Sequence, residues 1–309
     1  MLTLFANLSK MILCVLLAIL LWCSTKSQIV IPVCFLGNGN PYINGSIPSV
    51  HGDEIIRIGI TPYEIGRTFI RGSEFEQIWM NNVTFHVSNF TFVHDDFLLS
   101  IMGEDFVPRP YQPVASLGLG SGSLMIRRFE SASMVKQDLE NAIVVLNSSL
   151  DWFNSSCVAD SLLNIPIISS FSRIDSLHIS IGIGSEITPL VFMVTTNRFL
   201  LTVPDSLFSS ITSIIRRFAS TFSNSADSVL FTFCDELSSQ LPEIFLIFSS
   251  GMVRLAPADY TRNIGNRTCE LLIGSRDDVH VINPFLLTDI NLRFTHSDLW
   301  LCDAEYHAL

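Results

Sequence analysis

Short apolar runs separated by clusters of Gly, Asn, Ser and Pro dominate the chain. In the run 83–93, Val83, Phe85 and Val87 fall at alternate positions, which is the period-2 pattern of a half-buried strand. Further short apolar runs of this kind occupy residues 165–169, 177–184, 189–194 and 243–248. These runs predict a chain that is built mainly of β-strands.

A convincing helical period occurs in one segment. Apolar residues recur there at spacings of 1, 4, 7, 8 and 11 from the first, at Leu207, Phe208, Ile211, Ile214, Ile215 and Phe218. The spacing predicts a helix over 205–218, with Thr202 and Asp205 as a capping pair and Arg216 and Arg217 on its exposed face. The segment from Met134 to Leu146 is a weaker helical candidate. The fold class predicted from the pattern is therefore all-β, mainly β with a few short helices.

The first 27 residues have the pattern of a secretory signal peptide. Lys10 precedes an apolar run of 12 residues from Met11 to Trp22, whereas a span of the bilayer takes about 20 residues. We expect cleavage after Ser27; the alternative is an uncleaved anchor. The mature chain is then expected to be secreted, or to lie in the lumen of the secretory pathway, without a membrane span.

Charge and motif content narrow the classes of partner. The formal net charge is −11 at pH 7, and loss of residues 1–27, which hold two lysines and no acid, makes it −13. Such a surface argues against nucleic acid and anionic lipid as partners. None of the 7 histidines has metal-ligand spacing to another His or Cys. We therefore expect no metal ion. We also expect that the protein has no cofactor and is a monomer.

A secreted chain can carry two kinds of covalent modification, disulfide bonds and N-linked glycans. In an oxidising compartment some of the cysteines after residue 27 should form disulfides, and their odd number leaves one over. These cysteines are Cys34, Cys157, Cys234, Cys269 and Cys302. Candidate N-glycosylation sequons begin at Asn44, Asn82, Asn89, Asn147, Asn154 and Asn266.

Sequence elements in the C-terminal third occur in a distinctive order. A cysteine precedes a Leu-Pro pair, a strand, a Gly-containing hairpin, the pattern Leu-x-Pro-x-x-Tyr and a second cysteine. The elements are Cys234, Leu241-Pro242, Ile244 to Phe248, Gly251, Leu255, Pro257, Tyr260 and Cys269, followed by Phe285-Leu286, Phe294-Thr295 and Leu299 to Ala304. In this order they resemble the C-terminal lobe of pepsin-like aspartic proteases. Upstream, residues 116–120 are similar to the family's Gly-rich strand end, and 69–83 to its flap.

The resemblance implies a bilobal pepsin-like fold over about residues 65–304. Its N-terminal lobe would be shortened and occupy 28–162, with a flap hairpin at about 69–93. The C-terminal lobe would occupy 163–309, after a divide near residues 158–165. A disulfide between Cys234 and Cys269 is expected within it. Cys302 is left with two candidate partners, Cys157 and Cys34.

The catalytic positions implied by the resemblance do not hold catalytic residues. Thr195 occupies the family's second catalytic Asp position, after the apolar pair Met193-Val194, and Asn197 occupies the loop's Gly position. The flap Tyr position falls at Phe69. An aspartic peptidase needs two close carboxylates that share one proton, one activating water and one polarising the scissile carbonyl. A Thr hydroxyl stays protonated near neutral pH and does neither.

No first catalytic loop is present, since the chain contains neither Asp-Thr-Gly nor Asp-Ser-Gly. The available acids Asp53, Asp95, Asp175 and Asp205 lack the required loop context. We expect a secreted, inactive pepsin-like homologue that binds a protein or peptide ligand through its cleft or loops. The alternatives are a functional aspartic endopeptidase and a surface antigen whose fold is only a scaffold.

Overall fold

A computed structural model shows that strands dominate the chain, as the apolar runs predict. It describes residues 28–35, 39–49, 52–61, 67–71, 76–80, 83–87, 90–94, 97–102, 115–119, 129–138, 141–168, 173–176, 178–181, 190–195, 199–218, 222–225, 228–232 and 241–305. The predicted signal peptide lies outside these residues. No helix in these ranges has both the length and the hydropathy needed to cross a bilayer.

The largest sheet in the described ranges has 11 strands, which come from both sides of the divide expected near residues 158–165. Nine strands follow the order β12-β26-β25-β10-β11-β1-β2-β3-β9, and β6 and β7 attach through β2. The bounds are β1 Ile29–Phe35, β2 Pro41–Ser49, β3 Gly52–Thr61, β6 Val83–Val87, β7 Phe90–His94, β9 Ala115–Gly118, β10 Ala132–Lys136, β11 Ala142–Leu146, β12 Leu163–Pro166, β25 Ile290–Phe294 and β26 Asp298–Asp303. The pairing of β10 with β25 joins the two parts of this sheet.

Two smaller sheets carry the features discussed below. One has the order β13-β15-β24-β16-β23, and the other has the order β14-β19-β20. Their bounds are β13 Arg173–Ser176, β14 His178–Ile181, β15 Leu190–Val194, β16 Leu201–Val203, β19 Ile244–Phe248, β20 Gly251–Leu255, β23 Ile273–Ser275 and β24 His280–Ile282. Burial alternates along β19, where Ile244, Leu246 and Phe248 face the core, as a period-2 strand requires.

The remaining strands form two further sheets, of order β17-β18-β22-β21 and β4-β8-β5. Their bounds are β4 Arg67–Arg71, β5 Glu76–Met80, β8 Phe97–Met102, β17 Phe222–Ser225, β18 Ser228–Thr232, β21 Thr261–Gly265 and β22 Thr268–Leu271. In the second of these sheets β8 lies between β4 and β5 and pairs with both. Residues 69–83 therefore do not form a hairpin by themselves. The hairpin within the expected flap region is β6–β7, which also divides the single run 83–93 into two strands.

The described helices are short, apart from one. They are α1 Leu150–Asn154, α2 Asp205–Phe218 and α3 Pro257–Tyr260, with a 3-10 turn at Pro284–Leu286. Helix α2 confirms the predicted helix 205–218, and it buries Leu207, Ile211 and Ile215. The predicted capping pair is wrong: the Thr202 hydroxyl accepts from Val281 N–H at 2.8 Å in the sheet. The Asp205 N–H instead donates to the Asp277 carboxylate at 3.0 Å.

The helical prediction for Met134 to Leu146 is also wrong, because this segment forms the antiparallel pair β10–β11. All five residues of β10 are buried, and so are four of the five in β11. A strand that is buried on both faces has no polar alternation that would distinguish it from a helix.

A continuous apolar core connects the large sheet, the β15–β24 sheet and α2. Tyr260 is fully buried in it, and its hydroxyl donates to the Pro242 carbonyl at 2.6 Å. Burial, and to a smaller extent the charge of Glu243, raises the pKa of Tyr260 far above its usual value. The Tyr of the Leu-x-Pro-x-x-Tyr pattern thus bonds back to the Leu-Pro pair that precedes β19.

The cysteine pairing left open by the sequence resolves in favour of Cys157 with Cys302. This disulfide sits in a second apolar cluster with Phe153 and joins the end of α1 to β26. Cys34 is a free thiol. Cys269 is disulfide-bonded, and its expected partner, Cys234, lies outside the described residues.

Candidate functional site

The loop that holds Thr195 crosses the end of a central strand. β24 lies between β15 and β16, parallel to β15 and antiparallel to β16. The chain leaves β15 at Val194 and enters β16 at Leu201, so the connection passes over the last residue of β24. This crossing is where the sequence predicts the degenerate catalytic loop.

Backbone hydrogen bonds fix both ends of this loop to the end of β24. Thr195 N–H donates to the Ile282 carbonyl at 2.9 Å, and Asn283 N–H donates to the Leu200 carbonyl at 2.8 Å. Thr195 is only 6% exposed, and Leu200 is fully buried. The loop ends are therefore rigidly held at a buried point. Residues 196–198, including the Gly-position Asn197, lie outside the described residues.

The side chain of Phe199 contributes to the position of the loop. Its ring lies against Gly274 in β23, where a Cβ atom would come within 2.9 Å of two ring carbons. In the resemblance, residue 199 stands where the family has a hydroxyl residue. Here an aromatic ring packed on a glycine occupies that position, so packing contributes to holding this end of the loop.

A third segment of the chain reaches the same point from the N-terminal half. The fully buried Asn283 donates from Nδ2 to Asn40 Oδ1 at 3.0 Å, across 243 residues of sequence. Asn283 Oδ1 accepts from Phe285 N–H at 3.3 Å and so caps the 3-10 turn. Gly39 has φ +82° and packs so closely on Leu286 that a Cβ atom would meet it at 3.1 Å. Sequence reasoning missed this contact, because an Asn in a polar loop reads as a turn residue.

The groups assembled here are one hydroxyl and two carboxamides, from Thr195, Asn283 and Asn40. None of them ionises near neutral pH, and neither a carboxamide nor a neutral hydroxyl is basic enough to take a proton from water. Asn283 already uses both polar atoms of its amide, Nδ2 toward Asn40 and Oδ1 toward Phe285 N–H. The three groups cannot share an acidic proton in the way that a carboxylate dyad does.

The acids that sequence reasoning left available lie elsewhere. Asp175 pairs with Val191 in the β13–β15 ladder, four residues or about 13 Å along the strand from Thr195. Asp205 begins α2, at the far end of β16, and its carboxylate accepts from the Ser275 hydroxyl. Asp53 pairs with Pro48 in the β2–β3 hairpin. Asp95 lies outside the described residues.

The carboxyl group of Asp259 has a shifted pKa, but its hydrogen bonds give it a structural role. Burial raises the pKa of Asp259, and the charge of Asp289 raises it further. One oxygen of Asp259 accepts from Ala256 N–H at 2.8 Å, and the other accepts from the Thr288 hydroxyl at 3.2 Å. Asp259 is the N3 residue of α3, where its side chain accepts from the backbone of the N-cap residue Ala256, and both of its oxygens are in use.

The remaining predicted site residues are placed as follows. Phe69 lies in β4, in a sheet that shares no described strand pairing with β15 or β24. Of the sequon asparagines, Asn44, Asn154 and Asn266 are exposed and Asn147 is half-buried, while Asn82 and Asn89 lie outside the described residues. The described residues contain no group of three His, Cys, Asp or Glu side chains that could hold a metal ion.

Searches of protein-family models and of curated proteins find no match to this chain. The site must therefore be interpreted from its own geometry and chemistry. The described ends of the loop are buried and hydrogen-bonded to the end of β24, and neither end carries a carboxylate.

Proposed function

We propose that the protein is a secreted pepsin-like aspartic peptidase homologue without peptidase activity, which acts as a binding or recognition protein through its cleft or loops. The observation that carries the proposal is the buried Thr195 at the crossing over β24, with Asn283 and Asn40 beside β24. By the resemblance to pepsin-like proteases, Thr195 takes the position of the second catalytic Asp, and a Thr hydroxyl cannot replace a carboxylate in acid–base catalysis.

The rigidity of the crossing supports binding rather than loss of all function. Both ends of the loop are hydrogen-bonded, Phe199 packs on Gly274, and a segment 243 residues away is bonded to the same point. Such preorganisation lowers the entropy that a surface loses when it binds a ligand. The all-β architecture and the mapped disulfide agree with an extracellular recognition role.

Acid-pH proteolysis tests the proposal. Purified protein is incubated with an unfolded generic substrate between about pH 2 and pH 4.5, a range in which a pepsin-like carboxylate dyad holds one proton, with and without pepstatin. Thr195→Ala serves as the matched control, since the proposal gives the Thr195 hydroxyl no catalytic role. We expect no pepstatin-sensitive cleavage by either protein. Pepstatin-sensitive cleavage by the wild type, whether or not Thr195→Ala retains it, would establish the alternative, a working aspartic endopeptidase.

A further inference from the structure

A groove separate from the Thr195 loop lies between two strand edges. It has a volume of about 490 Å³ and is lined by residues 160–163 and 250–254 and by parts of the segments around 289 and 302. This is the size of an ordinary ligand site. The groove narrows where Gly251 of β20 meets Leu163 of β12, since a Cβ atom on Gly251 would lie 2.7 Å from the Leu163 side chain.

The wall formed by β20 is the edge of a sheet and not its face. Val253 is buried, whereas Met252 and Arg254 on either side of it are exposed, and all three line the groove. Side chains from both faces of a strand can line one cavity only when the strand presents its edge to it. Among the described strands, β20 pairs with β19 alone.

The register of the hairpin identifies which backbone groups point into the groove. The two-residue turn between β19 and β20 closes on the pair Phe248–Gly251, which such a turn joins by hydrogen bonds. Hydrogen-bonded and non-bonded pairs then alternate along an antiparallel ladder. Met252 and Arg254 fall in the non-bonded pairs, so their N–H and C=O groups face outward, along the free edge.

The charge of the groove is strongly negative. Four aspartates line it, namely Asp160, Asp259, Asp289 and Asp303, and its one basic lining residue is Arg254. Arg254 is already paired with Glu243 at 2.6 Å. Asp160, Asp289 and Asp303 are exposed to solvent, so a cationic group from outside can approach them.

We propose that this groove binds a basic peptide segment in extended conformation, which adds to β20 as a fourth strand of the β14-β19-β20 sheet. The N–H and C=O groups of Met252 and Arg254 bond its backbone, and the aspartates receive its Lys or Arg side chains. The site is distinct from the loop crossing, so this inference goes beyond the proposed function and does not depend on the absence of peptidase activity.

Peptide binding tests both features of the groove, which are its negative charge and the outward backbone groups of β20. The probe is a fluorescein-labelled seven-residue peptide that alternates Lys and Thr, and the comparison peptide carries Glu in place of Lys. A third peptide keeps the lysines but is methylated on every backbone nitrogen, so that it loses its donors while keeping its charge. We expect measurable binding of the first, no binding of the second, and at least about tenfold weaker binding of the third, since two edge hydrogen bonds are lost.

Protein variants locate the site. The double variant Asp289→Asn/Asp303→Asn should weaken binding by about three- to tenfold, as two exposed charge pairs imply. The matched control Asp151→Asn/Asp278→Asn removes the same charge outside the groove and should leave binding unchanged. Met252→Pro removes an outward donor without a loss to the ladder and should reduce binding at least about fivefold. Met252→Thr keeps the N–H group and should not.

Three results of the peptide experiments would overturn the proposal. They are equal binding of the Glu peptide, binding that survives full N-methylation, and no binding of the Lys peptide at concentrations up to about 1 mM, the weak limit of a specific site. Self-association in sedimentation velocity that Met252→Pro abolishes would assign the edge to a second copy of the chain, and would equally refute it. The N-methylated peptide decides the question even if a variant does not fold.

Discussion

Lys136 offers a sharp test of the packing between the two parts of the large sheet. It is 6% exposed in β10, next to β25, and its ammonium lies 4.1 Å from the centre of the Phe35 ring. Burial lowers the pKa of Lys136 to about 8, although the charge of Asp289 acts in the opposite direction. We predict that Lys136→Met stabilises the protein near neutral pH.

The magnitude follows from the shift in pKa. A pKa lowered from 10.5 to about 8 corresponds to about 3 kcal/mol of destabilisation while the amine is protonated in both states. Lys136→Met also removes the cation–π contact with Phe35, and this loss offsets about 1 kcal/mol of the gain in stability. The net gain expected for Lys136→Met at pH 7 is therefore about 1–3 kcal/mol.

The sign of the pH dependence can be derived independently. The unfolded chain holds the Lys136 proton up to about pH 10.5, whereas the folded protein releases it near pH 8. Since the unfolded state binds more protons in this interval, stability must rise with pH. The expected rise is about 2 kcal/mol between pH 7 and pH 9.5. Keeping below pH 10 avoids ionising Tyr260 in the unfolded chain.

Urea unfolding at several pH values, followed by circular dichroism, measures both quantities. The rise in stability should be present in the wild type and absent in Lys136→Met, while Lys136→Arg, which keeps a permanent charge, should be less stable than the wild type. If Lys136→Met is less stable than the wild type at pH 7 and the wild-type profile is flat, the reasoning from burial is refuted.

Three further substitutions test the site and the core. Tyr260→Phe leaves the part-buried Pro242 carbonyl without its donor and should cost about 0.5–1.5 kcal/mol in urea unfolding; an unchanged midpoint would contradict this bond. Gly274→Ala pushes against the Phe199 ring and should cost about 1–3 kcal/mol, with altered near-ultraviolet dichroism, and a silent substitution would refute that contact. Replacing both Cys157 and Cys302 with Ser removes a link across 145 residues and should lower the free energy of unfolding by about 3–5 kcal/mol. An unchanged free energy of unfolding would show that the disulfide is not formed.

Sequence reasoning succeeded where burial is one-sided. Helix α2 buries Leu207, Ile211 and Ile215 against the core and exposes its other face, so its period of 3.6 could be read directly. It failed at β10, where all five residues are buried and no period remains. Strand type is set there by neighbours distant in sequence, which a local pattern does not contain.

The candidate site was predictable only in part. The position of the loop that holds Thr195 could be predicted from the apolar residues before and after it, because these residues form β15 and β16 on either side of β24. The bond between Asn283 and Asn40 could not, since no local pattern marks an amide pair 243 residues apart. The acidic groove also combines residues from segments around 160, 252, 289 and 302, which are adjacent only after folding.

The central claim of the proposed function is that the loop over the end of β24 supplies no pair of carboxylates. Calorimetric titration of the purified protein with pepstatin between about pH 2 and pH 4.5 measures this most directly, because that ligand's affinity depends on a carboxylate dyad holding a single proton. We predict no saturable heat of binding for the wild type or for Thr195→Ala. Saturable one-to-one binding that follows the ionisation of two coupled carboxyl groups would contradict the account.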